Sequence, residues 1–288
     1  MQRRIVMVTG ANAGIGFATA RGLAAAGARV VLVCRDSARG EQAAARIHRS
    51  TGNDAVHVLP CDLSSQADIR RMVSAFAGRF ERLHVLVNNA ATYTPERTLS
   101  VDGIELQLAT NYLSYFLLTR LLLDRLRAGA PARIVNLSTV NHFQVSLNLD
   151  DLQSRNGYEP KQVHVRSKLA VILFTYELAR RLPATLVTAN CLHPGVIATK
   201  LLGDVRKIPP ERHFTPEMGG DPVGAGARTP LYLALSPEVE GITGKYFDEC
   251  RAVASSPETR DRKKAAKLWT LSEALTGLLS DEEARHSS

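Results

Sequence analysis

The sequence predicts an α/β protein built on a single doubly wound parallel sheet with helices on both faces. Two observations carry that prediction. Short apolar runs recur between stretches of helical length, at 5–8, 28–34, 55–59, 84–87, 133–137 and 186–192. Such alternation makes strands parallel and buried on both sides. Directly after the first run stands Thr9-Gly10-Ala11-Asn12-Ala13-Gly14-Ile15-Gly16, and after it an alanine-rich helical stretch closed by Gly27. In a strand–turn–helix unit, glycines let the backbone approach a pyrophosphate, and the unpaired helix amides face its charge. The spacing is Gly-x-x-x-Gly-x-Gly, and taken alone such a cluster also fits a plain tight turn.

Composition sets the remaining bounds. At 288 residues and 45% hydrophobic content, the chain suits one domain spanning 1–288, without a proline- or serine-rich linker or an internal repeat. Cys34, Cys61, Cys191 and Cys250 show no spacing that suggests a metal or redox pair, and fit buried thiols in a reducing compartment. Met1-Gln2-Arg3-Arg4 runs into a strand too short for a signal peptide, and no apolar run reaches the length of a membrane span. The expectation is a cytoplasmic protein with no membrane span. The net charge of +8 is scattered. Its one cluster, at 260–264, reads as a solvated helix face and not as a nucleic-acid surface.

Taken in order, the second strand ends at Cys34 and is followed by Arg35. In dinucleotide folds this point meets the adenosine ribose. A guanidinium suits a 2′-phosphate, so Arg35 favours NADP(H) over NAD(H), the plain alternative being an arginine facing solvent. Asp36 is placed to cap a helix over 37–49. A third strand leads to Cys61-Asp62-Leu63, a helix over 66–80 follows, and the fourth strand ends in Asn88-Asn89-Ala90. A long helix is expected over 101–127. The fifth strand delivers Ser138 and Thr139 at its carboxyl end, where ligands meet open α/β sheets. The sixth ends in His193-Pro194-Gly195-Val196-Ile197-Ala198-Thr199. The proline- and glycine-rich stretch that follows reads as a substrate lid, at about 196–229, or else as a plain surface insertion. A last strand is expected at 241–247. A helical extension over 258–288 closes the chain, its final helix at 268–279.

These residues together resemble the short-chain dehydrogenases/reductases, a Rossmann-type family, over nearly the whole chain. The cofactor loop at 9–16, Asp62, Asn88-Asn89-Ala90, Asn111 and Pro194-Gly195 occur in the family's order. Within the family the likeness is strongest to the retinol dehydrogenase and WW-domain oxidoreductase group, through Phe116-Leu117-Leu118-Thr119, Ser167-Lys168-Leu169-Ala170, the run at 177–182 and Leu268-Trp269. The resemblance implies a nicotinamide dinucleotide held by Gly10, Asn12, Ala13, Gly14, Ile15, Gly16, Asn89 and Ala90. Asp62 and Leu63 would lie at the adenine, and Pro194, Gly195, Val196 and Thr199 at the carboxamide or phosphates. It leaves the 101–127 helix either buried within one chain or, with 161–182, building a homodimer or homotetramer.

Two departures follow. Thr139 stands where the family usually has its catalytic serine, keeping the hydroxyl on a stiffer side chain. Four residues before Lys168, where the family has its tyrosine, stands His164; Tyr158, ten residues before the lysine, is out of register. The implied roles are substrate-oxygen binding by Thr139, proton transfer by His164, ribose binding by Lys168 and a water relay anchored by Asn111. Tyr93, Ser138 and His142 are expected to line the substrate pocket, with a core-satisfied His142 and an exposed Tyr93 as the plainer alternatives. The function that follows is NADP(H)-dependent interconversion of a hydrophobic secondary alcohol and its ketone, or an aldehyde. The small hydrophobic substrate is the expected partner, with no metal and no nucleic acid. The alternative is redox-neutral acid–base chemistry, or a cofactor-binding regulatory protein, on the same scaffold.

Overall fold

The computed structural model describes residues 4–182, 185–206, 208 and 222–278. Parallel strands β1 (Ile5–Thr9), β2 (Arg29–Cys34), β3 (Val56–Pro60), β4 (Val85–Asn88), β5 (Ala132–Leu137), β6 (Val187–Leu192) and β7 (Tyr246–Asp248), with antiparallel β8 (Arg251–Val253), form one sheet. Its order is β3-β2-β1-β4-β5-β6-β7-β8. The direction of winding reverses beside β1, which pairs with β2 on one side and β4 on the other. A crevice opens at the carboxyl ends of the strands at such a switch point.

The helices are α1 (Gly14–Ala25), α2 (Ser37–Thr51), α3 (Gln66–Ala77), α4 (Leu106–Leu108), α5 (Ser114–Ala128), α6 (Pro160–Arg181), α7 (Lys200–Val205), α8 (Val223–Gly226), α9 (Arg228–Leu235) and α10 (Arg262–Thr276). They cover both faces of the sheet. Met7, Val31 and Leu86 face α3, α5, α6 and α10 in one core; Val6, Val8, Val30 and Leu32 face α1, α2 and α9 in the other. Strands buried on both faces have no polar side to alternate with, which explains their continuous apolar runs.

Local chemistry sets the boundaries. Asp36 caps α2 by accepting from the Arg39 amide at 3.0 Å, as its position predicts. The long helix expected over 101–127 begins later, at α4. The fully buried Glu105 caps it there, accepting from the amides of Gln107 and Leu108. Between α4 and α5 the helix passes through a π turn, Ala109–Leu113. The expected last strand at 241–247 is shorter and is followed by β8, an edge strand with no apolar run to announce it. The closing helix starts at Arg262 and not at 268, with Asp261 as its cap and Gly277 in the left-handed region at its end. Part of the expected lid, residue 207 and 209–221, lies outside the described residues; α7 precedes that part and α8 follows it. Among the described residues, no helix is long and apolar enough to cross a membrane.

α10 is fastened through Trp269. Its ring packs against Phe116 and Phe174, with centroids 5.0 and 5.9 Å away. The guanidiniums of Arg120 and Arg181 lie over the same ring at 5.0 and 4.2 Å. Trp269→Ala is expected to cost about 3–5 kcal/mol of stability, read as a lower urea midpoint. An unchanged midpoint would show that α10 is not part of the cooperative core.

Candidate active site

The glycine loop forms one wall of a cavity of about 460 Å³ at the carboxyl ends of the strands. Gly10 and Gly14 have φ of +64° and +57°, a region costly for other residues. A Cβ on Gly16 would stand 2.3 Å from the Gly10 carbonyl oxygen and 2.4 Å from Asn89 Nδ2. Asn89 braces this loop, donating from Nδ2 to the Thr9 carbonyl at 2.7 Å, while the Thr9 hydroxyl accepts from the amides of Asn89 and Ala90. Ala13, which precedes α1, supplies no side-chain cap, and the first turn carries no acidic side chain. The α1 amides are therefore free for an external anion.

Opposite the loop, α6 presents His164 and Lys168 one turn apart, and β5 presents Thr139; all three line the cavity. Lys168 is buried, and no carboxylate among the described residues pairs with it. Its ammonium donates to the Leu137 carbonyl at 3.1 Å and to the Tyr115 hydroxyl at 3.2 Å, and Tyr115 in turn donates to the Ala90 carbonyl at 2.9 Å. Burial pushes the lysine pKa down to about 7. Burial likewise lowers His164 to about 4, with the nearby Lys168 charge adding to the effect. Thr139 caps a 3₁₀ turn, Val140–Gln144, by accepting from the Asn141 amide at 3.3 Å, which leaves its hydroxyl proton to donate elsewhere.

The π turn carries Asn111, a common use of such bulges. Asn111 is fully buried and stands behind His164, not on the cavity wall. Its Oδ1 accepts from the Thr92 amide at 2.7 Å, and its Nδ2 donates to the Thr92 carbonyl and to Ser167 Oγ, both at 3.1 Å. The same Nδ2 lies 3.4 Å from His164 Nδ1, which leaves Nε2 as the ring nitrogen for the cavity. Thr92 is thereby held at both backbone groups, and Tyr93 beside it is set on the cavity wall, edge-on to His164 with ring centroids 6.3 Å apart.

Several expected site residues lie elsewhere. His142 does not line the cavity. Its ring is fully buried, with Nδ1 donating to the Thr139 carbonyl and Nε2 accepting from the Ser256 amide at 3.0 Å. That pairing requires a neutral ring, and burial lowers its pKa accordingly. His142 is thus the core-satisfied histidine. Ser138 reaches the cavity edge, but its hydroxyl donates to the Lys168 carbonyl at 2.8 Å and so positions α6 rather than a substrate. Val196 is exposed and outside the wall. Arg35, Asp62 and Leu63 are also outside it. Arg35 is exposed at the end of β2, Asp62 accepts from the Ser64 amide and hydroxyl, and Leu63 is buried. Asn12, Ala13, Ile15, Ala90, Pro194, Gly195 and Thr199 do line the cavity, with Thr199 also capping α7 through the Leu202 amide.

Two wall or support residues escape the sequence reading. Tyr115, which holds the lysine, sits in an apolar helix run with nothing local to mark it. His193, next to Pro194-Gly195, lines the cavity with a buried Nδ1 that has no hydrogen-bond partner among the described residues. An orphaned polar atom, a backbone cradle closed to any Cβ and an uncapped helix N-terminus together fit a phosphate-linked dinucleotide.

A parallel doubly wound sheet with this loop and a buried helix lysine defines a dinucleotide-dependent dehydrogenase class. The family model for short chain dehydrogenase matches residues 4–209; the chain belongs to that family, an oxidoreductase family that binds a nicotinamide dinucleotide. It is 42% identical over 276 residues to human retinol dehydrogenase 12, covering 96% of this chain and 87% of the relative. It is 40% identical over 295 residues to human retinol dehydrogenase 14, covering 97% and 88%. Among solved structures, an uncharacterised protein of Mycobacterium paratuberculosis aligns with a TM-score of 0.76 and 34% identity, over 96% of this chain and 94% of the other. The NADP complex of Pseudomonas aeruginosa RhlG aligns with a TM-score of 0.66 and 29% identity, over 86% and 94%.

Gly16→Ala is expected to weaken dinucleotide binding by about tenfold or more, since overpacking of this kind costs about 1–3 kcal/mol. Gly224→Ala, where a Cβ meets nothing within 4 Å, is the control. Calorimetric titration decides; equal affinities would show that the loop does not carry the phosphates.

Proposed function

We propose that the protein interconverts a hydrophobic alcohol and its carbonyl compound with NADP(H), using His164 as the proton-transfer group. The observation that carries this is the meeting of Thr139, His164 and Lys168 on one cavity wall beside the glycine loop. When bound, the nicotinamide would supply or accept the hydride. Thr139 donates its hydroxyl proton to the substrate oxygen. His164 Nε2 exchanges the proton of that oxygen. Lys168 spends two of its three donors on Leu137 and Tyr115 and keeps the third for the cavity, where a ribose hydroxyl is the natural acceptor. Asn111 acts by positioning, through Thr92 and His164, and not by touching substrate.

The charge balance sets a direction. His164 is neutral near pH 7, and the Lys168 ammonium disfavours the imidazolium. A neutral imidazole accepts a proton more readily than it gives one, so alcohol oxidation is the favoured direction. That agrees with relatives named as retinol dehydrogenases, and retinoid-like alcohols are the first substrates to assay, beside secondary alcohols. For the cofactor, Arg35 stands exposed at the carboxyl end of β2, beside the loop whose Gly10 amide donates to the Val33 carbonyl. Asp36 is committed to capping α2 and to Arg39 at 3.6 Å. A 2′-phosphate there would meet the Arg35 guanidinium.

His164→Phe is expected to lower turnover by about 100-fold or more with dinucleotide affinity retained. Full turnover in that variant would assign the proton to another group. The pH profile gives a sharper reading. A histidine pKa lowered to about 4 keeps the base form until the pH falls through that value, so the acid limb of alcohol oxidation should sit well below the usual histidine value of about 6.5. A limb centred at 6.5 would remove His164 as the base.

Arg35→Ala should cost about tenfold in NADP(H) affinity and leave NAD(H) unchanged. Equal losses for both cofactors would remove the 2′-phosphate contact.

A further inference from the structure

A second cavity, of about 760 Å³, lies at the outer edge of the sheet. β8 runs back from Arg251, opposite Asp248, to Val253, opposite Tyr246. Residues 254–255 therefore return to the level of Lys245, at the amino end of β7. The dinucleotide cavity occupies the carboxyl ends, and the two share no lining residue among the described residues.

The walls come from the last turns of α6, the β7–β8 hairpin and the turn into α10. Lys245, Arg260 and Arg262 line the cavity, and none of their side chains has an ion pair or hydrogen bond among the described residues. A fourth cation, Arg180, is already paired with Glu177 at 2.6 Å. No aspartate or glutamate among the described residues lines the cavity. Asp261, the acid nearest in sequence, is committed to capping α10 through the Lys264 amide at 2.9 Å.

Hydroxyls lie below the charges. Tyr176 and Ser255 share a hydrogen bond of 2.7 Å, and Ser255 is bonded to Thr259 at 2.6 Å. Tyr246, which also lines the cavity, keeps a buried hydroxyl without a hydrogen-bond partner among the described residues. Cations that line one cavity with no described acid in its wall repel one another, and an oxyanion relieves that repulsion while it accepts from guanidinium and hydroxyl donors. The exposed Val253 on β8 gives the same basin an apolar side.

We infer that this basin is a second ligand site, for a phosphoryl group, held by Lys245, Arg260 and Arg262 and separate from the dinucleotide cavity. The inference does not depend on the redox reading. The phosphoryl group has two sources, a soluble phosphate or a lipid headgroup, and both present the same oxygens.

Inorganic pyrophosphate is the first probe, titrated calorimetrically into the full chain with saturating NADP⁺ present to occupy the glycine loop. Vesicles of phosphatidylglycerol, compared with phosphatidylcholine in a sedimentation assay, are the second. Wild-type protein is expected to bind pyrophosphate, anionic vesicles or both. Binding should weaken by about tenfold or more in the Arg260→Glu/Arg262→Glu variant and in the milder Lys245→Gln/Arg260→Gln variant. Circular dichroism checks that each variant folds. Pyrophosphate binding alone assigns a soluble ligand, and vesicle binding alone a headgroup. Binding to neither probe, or affinities that both variants leave unchanged, overturns the site.

Discussion

The site depends on one buried charge, the ammonium of Lys168. A cation removed from water without a carboxylate partner is costly, and the fold meets that cost with two oxygens and a lowered pKa. The oxygens come from different elements: the Leu137 carbonyl at the end of β5 and the Tyr115 hydroxyl on α5. Tyr115 passes the chain of bonds to the Ala90 carbonyl beyond β4. Ser138, one residue past β5, returns a bond to the lysine's own carbonyl. Strands β4 and β5 and helices α5 and α6 must therefore meet at one point before the ammonium is satisfied. Shifting any of them leaves a buried charge short of an acceptor.

Buried asparagines extend the same constraint. Asn88 Nδ2 donates to Thr119 on α5 and to Asn136 on β5, and Asn136 donates to Thr175 on α6. Asn89 ties the glycine loop to the end of β4, and Asn111 ties the segment after β4 to the π turn. Carboxamides suit this work because each offers a donor and an acceptor without a charge to desolvate. The wall that bears His164 and Thr139 is thus set by neutral hydrogen bonds, and the electrostatics are left to one lysine. That arrangement keeps the imidazole neutral, because burial and the lysine's charge both disfavour its charged form.

The rim shows the same economy of charge. Many acids of the described chain are committed to caps and ion pairs, among them Asp36, Glu105, Glu177, Asp261 and Glu273. Cations are in excess, with a formal charge of +8. An excess concentrated in a concave basin, as at Lys245, Arg260 and Arg262, attracts anions far more than one spread over a convex surface.

The sequence by itself determined the fold class, six strand runs and the glycine loop, while His164, Lys168 and Thr139 stood out only through the family resemblance. Strand runs and a strand–turn–helix signature are local patterns, legible within a few residues. Boundaries were less legible. The long helix starts at Leu106 because Glu105 folds back to cap it, and β8 exists only because β7 offers it an edge. Which polar side chains face the cavity was decided by tertiary structure alone. His142 and Ser138 flank Thr139 in sequence, yet one bonds Ser256 and the other the carbonyl of Lys168. Tyr115 looks like one more aromatic in an apolar helix until α6 brings the ammonium to it. Hydrogen-bond partners 30 to 114 residues apart, as in these two bonds, leave no periodic trace in the chain. They are fixed only when packing brings the elements together and every buried donor must find an acceptor.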